Sequence, residues 1–241
     1  MSIIVNNKLS NKSIIFYLDS LNKRCYSGTG TKVNDLSSKS ISLTTKNITW
    51  LESSGFTHTS GTFSYLSTDN SDNTLSDRIS ISAWIKCSKN SDFQTIIGDN
   101  SQNVTTPFIW IYRSNSNSDD LYFQYQDSST TWGSVSSPNF FTGYDDVWVN
   151  LTLVIDYVMG VLKVYRNGYQ FGSNIALSGT ISPNLTNSYF KKLYIGSYDS
   201  ERHWIRGSIS RLIIWNKLLT SSEVLSNYSS IDMNTYYLSK L

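Results

Sequence analysis

Hydrophobic positions along this chain recur with a period of two far more often than with the period of a helix. In Ile79-Ser80-Ile81-Ser82-Ala83-Trp84-Ile85-Lys86-Cys87 the odd positions through Ala83 are apolar, after which the pattern turns continuous. That pattern predicts a strand with one face, and then both faces, withdrawn from water. Asn150–Tyr157 and Val161–Tyr165 read as two strands joined through Met159-Gly160. The following Asn167-Gly168 predicts a hairpin, because both central residues of a type I′ turn need positive φ. Further strands are expected at Thr95–Gly98, Phe108–Tyr112, Leu121–Tyr125, Lys192–Gly196 and Ser208–Trp215. Short strands separated by turn clusters favour an antiparallel sandwich over a parallel α/β sheet.

One helix is expected. Thr220-Ser221-Ser222-Glu223 has the form of a capping box, with Leu218 or Leu219 placed for a staple and Val224, Leu225 and Tyr228 for an apolar face. It has only about two turns, so docking on the sandwich must hold it. The segments Ser67–Arg78, Asn100–Thr106, Ser114–Asp120 and Asp127–Ser137 are rich in Ser, Asn, Asp and Thr and read as surface loops. The expected core is Phe16, Ile81, Ala83, Trp84, Ile97, Trp148, Leu153, Ile155, Leu162, Val164, Ile195, Ile209, Leu212 and Ile214.

Composition sharpens this picture. Ser, Thr and Asn supply 86 of 241 residues, charged residues only 16%, and aromatics 14%. The apolar and aromatic content is enough for a core. A net charge of +2 with scattered basic groups leaves no footprint for nucleic acid. No stretch approaches the roughly 20 apolar residues that membrane insertion takes. Met1–Ser13 has no charged stub followed by an apolar run, so no secretory signal is read there. Cys25 and Cys87 are too few for a disulfide scaffold or a zinc site, and reduced, buried thiols are favoured over a bridge.

The order of these elements, from about Ile14 to Tyr228, resembles the laminin G-like, concanavalin A-like jelly roll. Tyr17-Leu18-Asp19-Ser20, Ile79–Ile85 with its Ala83-Trp84, Trp148 before Leu151–Asp156, Val164-Tyr165-Arg166-Asn167-Gly168, Leu193–Ser197, Gly207–Trp215 and the closing Leu219–Tyr228 carry the resemblance. It implies an all-β antiparallel sandwich with one short C-terminal helix, flanked by arms at 1–13 and 229–241. The short form of this family is common in phage structural and bacterial surface proteins. It therefore implies a non-enzymatic structural or adhesion module of a virus particle, partnered with a capsid, fibre or tail protein or with copies of itself. Tyr236, Tyr237 and Leu238 would form the assembly arm. The alternative is a lectin-like module, calcium-assisted, that attaches to surface glycans outside the cell.

Chemistry on the chain is sparse. Glycosidases on this fold need paired carboxylates, yet there are three Glu, namely Glu52, Glu201 and Glu223, and no acidic-x-acidic pattern on an expected strand. The two His, His58 and His203, have no nucleophile or metal-spaced partner nearby in sequence. Calcium ligands in relatives are rim Asp and Asn groups, which singles out Asp99, Asp119, Asp120, Asp127 and Asp199, with solvated loop carboxylates as the competing reading. For sugar contact the candidates are Trp132, His203 and Trp204, all in expected loops, with folding of Trp132 and Trp204 back over the sandwich edge as the competing reading, while Trp50 and Trp110 are left undecided.

Overall fold

The computed structural model describes residues 13–51, 54–58, 65–68, 76–99, 109–114, 118–126, 132–177, 193–198 and 203–230. The elements follow in chain order. The first six are β1 (Ile14–Asp19), β2 (Lys32–Asn34), β3 (Ser42–Lys46), β4 (Ile48–Leu51), β5 (Gly55–His58) and β6 (Tyr65–Thr68). Next come β7 (Arg78–Cys87), β8 (Gln94–Asp99), β9 (Ile109–Arg113), β10 (Leu121–Gln126) and β11 (Trp132–Ser137). The chain closes with β12 (Val149–Asp156), β13 (Val161–Arg166), β14 (Tyr169–Gln170), β15 (Ile175–Ala176), β16 (Leu193–Ile195), β17 (Gly207–Trp215) and α1 (Ser221–Ser229).

Among the described residues the strands form two antiparallel sheets. The first runs β14-β13-β12-β7-β17-β5-β4, with β1 also on β17 and β15 also on β13; the second runs β11-β10-β9-β8-β16-β6-β3-β2. Non-consecutive neighbours such as β7 and β17 mark a jelly-roll sandwich. Its core is filled by inward residues of both sheets, among them Phe16, Ile81, Ala83, Ile97, Leu153, Ile155, Val164, Ile195, Leu212 and Ile214. Alternation puts these on one face of each pleat.

The continuous apolar pattern of β7 has a structural cause: its outer face is covered as well. Val224 of α1 and Leu219 before it pack with Ile14, Val154, Tyr165, Ile213 and Trp215 on the outside of the first sheet. Trp84 and Trp148 lie there too, with Leu21 and Tyr228 against them. These two tryptophans, expected in the core, are thus buried on the outer face and not between the sheets. Tyr228 stacks on Trp84 with centroids 5.5 Å apart. Polar positions of this face pair with one another: Thr152, Asn150 and Asn227 all hydrogen-bond to Ser82 Oγ.

The helix start matches its sequence signature. Glu223 N donates to Thr220 Oγ1 and Thr220 N donates to Glu223 Oε2. Asn167 and Gly168 both have positive φ, and they turn β13 into β14. Cys25 and Cys87 are free and buried. Two loop expectations need correction. Asp127–Ser137 contains β11 at residues 132–137, and Ser67–Arg78 contains the end of β6 and the start of β7. The β11 segment is poor in strand-forming residues, but full backbone pairing with β10 supplies what propensity does not. Gly133 is needed there, since a Cβ would sit 2.1 Å from the Tyr125 ring.

Candidate functional site

Among the described residues no helix covers the outer face of the second sheet, and its pleat sets aromatic side chains there. On β9, Ile109, Ile111 and Arg113 point inward, so Trp110 and Tyr112 point outward; on β10, Leu121, Phe123 and Tyr125 point inward, so Tyr122 and Gln124 point outward. Tyr112 and Tyr122 are direct cross-strand partners. Their rings are nearly parallel, 5.3 Å apart at 12°. Trp110 and Tyr112 stack at 4.0 Å.

A loop extends the row. After β16 the chain crosses the outer face of β8, passing so close that a Cβ on Gly98 would lie 2.8 Å from the Tyr198 carbonyl oxygen. Trp204 then bridges Thr95 through its backbone. This crossing lays the His203 ring over Trp110, with centroids 5.6 Å apart at 27°. Phe93 stands edge-on to Trp110, Tyr112 and His203, and Tyr198 edge-on to Trp110. The result is a row His203–Trp110–Tyr112–Tyr122 running across the sheet.

Polar groups fix each member. Trp110 Nε1 donates to Thr95 Oγ1 at 2.8 Å, and Gln124 Nε2 donates to the Tyr112 hydroxyl at 3.1 Å. Burial, and then the neighbouring Tyr122 phenol, push the Tyr112 hydroxyl up to about 12. It is therefore neutral at physiological pH. His203 Nδ1 lies 3.2 Å from Asp92 Oδ1. His203 also holds a left-handed backbone, φ 56°. For a non-glycine residue that strain persists only where surrounding contacts impose it. Here Thr95 N donates to His203 O, Ile205 N to Gly196 O and Arg206 N to Gln94 Oε1.

The row ends in a step. One face of the half-buried Tyr122 ring meets Tyr112, and the other is turned toward β11, where Ser136 and Ser134 stand opposite Tyr122 and Gln124. Small hydroxyl side chains beside an aromatic face offer a flat apolar wall with hydrogen-bonding groups at its foot.

The sequence candidates divide accordingly. His203 belongs to the row; Trp204 is half-buried beside it, tied through its backbone to β8. Trp132 is placed in β11, in register with Gln126, rather than in a loop, and its side chain is not among those described. Trp110, left undecided by sequence, is central.

Of the calcium candidates, Asp119 and Asp120 have described side chains. Asp119 contacts Arg113 Nη2 at 2.9 Å, Lys89 Nζ at 3.2 Å and Thr142 Oγ1 at 3.1 Å. Partial desolvation acts to raise its pKa, but the hydrogen bonds of Lys89 and Thr142 and the charges of Lys89 and Arg113 outweigh it and hold the carboxyl below its ordinary value. Asp120 accepts from Asn139 N. Asp99 ends β8 with its side chain not described, while Asp127 and Asp199 lie outside the described residues, as do Tyr236, Tyr237 and Leu238. Among the described residues no three His, Cys, Asp or Glu groups gather as a metal site. Asp119 is thus engaged by Arg113, Lys89 and Thr142, and Asp120 Oδ1 by the Asn139 amide.

Two antiparallel sheets of this topology define a concanavalin A-like jelly roll. The laminin G family model described as the concanavalin A-like lectin/glucanases superfamily matches residues 60–225, and the chain belongs to that superfamily. It is similar to the solved binding domain of botulinum neurotoxin serotype D, at 18% identity and a TM-score of 0.66, over 91% of this chain and 52% of that one. It is also similar to the serotype D ligand-binding domain in complex with N-acetylneuraminic acid, at 18% identity and a TM-score of 0.64, over 91% and 51%. The type G receptor-binding domain matches at 14% identity and a TM-score of 0.62, over 90% and 51%. The chain thus spans about half the length of these structures. Identities this low establish a common fold. No match was found among curated proteins.

Proposed function

We propose that this chain is a non-catalytic, lectin-like module that binds surface glycans outside the cell through the outer row of its second sheet. The observation that carries the reading is the Tyr122 end of the row: a half-buried tyrosine stacked on the buried Tyr112, which stacks in turn on Trp110, and in register with Ser136 of β11. The C–H face of a pyranose packs on an aromatic ring by burying apolar area, and its hydroxyls need nearby polar partners. Membership of the superfamily supports the same reading, as do the receptor-binding domains that share the fold, one of them holding a sugar acid.

Binding is favoured over hydrolysis because, among the described residues, one carboxylate, Asp92, is seen against the row, whereas glycoside cleavage takes two facing acids. The particle-component reading rests on the family resemblance of the sequence, and its arm lies outside the described residues. The comparisons weigh toward the lectin alternative.

A glycan array probed with the wild-type chain and with Tyr122→Ala tests the proposal. Specific signals that fall by about tenfold or more in the variant are expected, since the lost ring contact is worth a kcal/mol or more. An array without signal overturns the proposal; signals indifferent to Tyr122→Ala and Trp110→Ala move binding away from this row.

A further inference from the structure

We infer that the row takes an uncharged sugar and selects against sialylated and other anionic ones, an inference that rests on the glycan-binding reading above. The argument begins with a proton. A carboxylate can only accept, so in the 3.2 Å contact between His203 Nδ1 and Asp92 Oδ1 the hydrogen belongs to Nδ1. In the neutral imidazole that assignment leaves Nε2 a bare acceptor. Nε2 has no partner among the described residues, and the His203 side chain is 28% exposed.

An acceptor at that position calls for a donor on the ligand. A sugar hydroxyl supplies one; a carboxylate or phosphate ester supplies only more acceptors. The local charge acts in the same sense. Asp92, with its side chain 47% exposed, places a negative charge beside the row. Among the described residues the cations that sit over aromatic rings do so elsewhere, Arg113 on Phe141, Arg166 on Phe171 and Arg211 on Tyr17. An anionic sugar would thus meet repulsion from Asp92 and, on the neutral imidazole, a lone pair on His203. The strained backbone of His203 fits this role, because it holds the ring flat on Trp110 and its Nδ1 against Asp92 at once.

The test compares matched pairs on an array, each neutral oligosaccharide against the same glycan capped with sialic acid, followed by titration calorimetry of the best pair. The wild-type chain is expected to bind the neutral member about tenfold more tightly, the scale of one lost hydrogen bond plus a surface like-charge contact. Asp92→Asn is the decisive variant. It lies on the surface, removes the charge, and frees the imidazole to carry its proton on Nε2. The preference should shrink by about fivefold or more in that variant. A second variant, His203→Asn, tolerates the left-handed backbone and should lower affinity for the neutral member. Equal or tighter binding of sialylated members by the wild type overturns this inference and leaves the glycan-binding reading intact. A preference unchanged in Asp92→Asn also overturns it. Absence of binding to every member of every pair overturns both.

Discussion

Arg113 and Asp119 meet at 2.9 Å at one end of the sandwich, with the arginine side chain 1% exposed and the aspartate 16%. The same guanidinium donates to the carbonyl oxygens of Cys87 and Ser118 and lies over the Phe141 ring, so it ties β7, β9 and two loops together. Replacing it by methionine leaves those carbonyls without their donor and strips Asp119 of its buried cation, with Lys89 and Thr142 remaining on the carboxylate. Arg113→Met should lower unfolding stability by about 3 kcal/mol, the scale for removing one partner of a buried ion pair. A shift of the urea midpoint at constant slope would measure it; an unchanged midpoint would show that the pair is dispensable.

Asp119 gives this pair a pH dependence of known sign. Its folded pKa is depressed, so its contribution is complete above the ordinary carboxylate range near pH 4 and is lost as the pH falls through the lower folded value. Asp119→Asn should therefore melt below the wild type at pH 6, and the gap should close toward pH 2. Glu223, held down first by Lys217 and then by the Thr220 amide, titrates in the same sense and serves as the comparison. A gap of constant size across that range would contradict the assignment.

The cap of α1 is a second stability test. Thr220→Ala removes the acceptor for Glu223 N and should cost about 1 kcal/mol, while Thr220→Ser should cost little. Because Tyr228 of this helix covers Trp84, fraying of the helix should also shift Trp84 fluorescence to longer wavelength.

Gly98 couples backbone to binding surface. Its side-chain position is filled by the carbonyl oxygens of Ser197 and Tyr198, so Gly98→Ala must lift the loop that carries His203. Glycan affinity should fall even though none of the row's rings is altered. If affinity and melting temperature both stay at wild-type values, the loop has another way to settle.

Both thiols should resist alkylation at pH 8 in the folded protein and react on denaturation. Desolvation pushes Cys25 up to about 12 and raises Cys87 as well, leaving little of the reactive thiolate. Mass spectrometry after iodoacetamide treatment reads this directly.

Much of the fold is legible in the residues, because alternation along β7, β12, β13 and β17 marks strands and Thr220 to Glu223 marks the helix start. Two things are not. The buried outer positions Trp84 and Trp148 look like core in sequence, since burial under α1 and burial between sheets demand the same apolar residue. The row is hidden for the complementary reason. In Ile109-Trp110-Ile111-Tyr112 every position is apolar or aromatic, so periodicity does not reveal that alternate residues face outward. Only the register of β9 with β10 brings Tyr112 beside Tyr122, and only the chain crossing at Gly98 brings His203 to Trp110. Of the three sugar-contact candidates, His203 is legible as a loop residue, but its partners Trp110, Phe93 and Asp92 are 93 to 111 positions away in sequence.

The covering of one sheet by α1 has a further effect. Ser13, whose carbonyl accepts from Asn216 N, and Ser230, whose hydroxyl meets Arg211 Nη1, both sit against the first sheet. Residues 13 and 230 thus both lie on the back of the sandwich, while the aromatic row looks out from the front. Copies immobilised from behind would present parallel fronts to a glycan-coated surface. Weak single contacts would then sum to avidity, with an effective concentration set by the spacing of the copies.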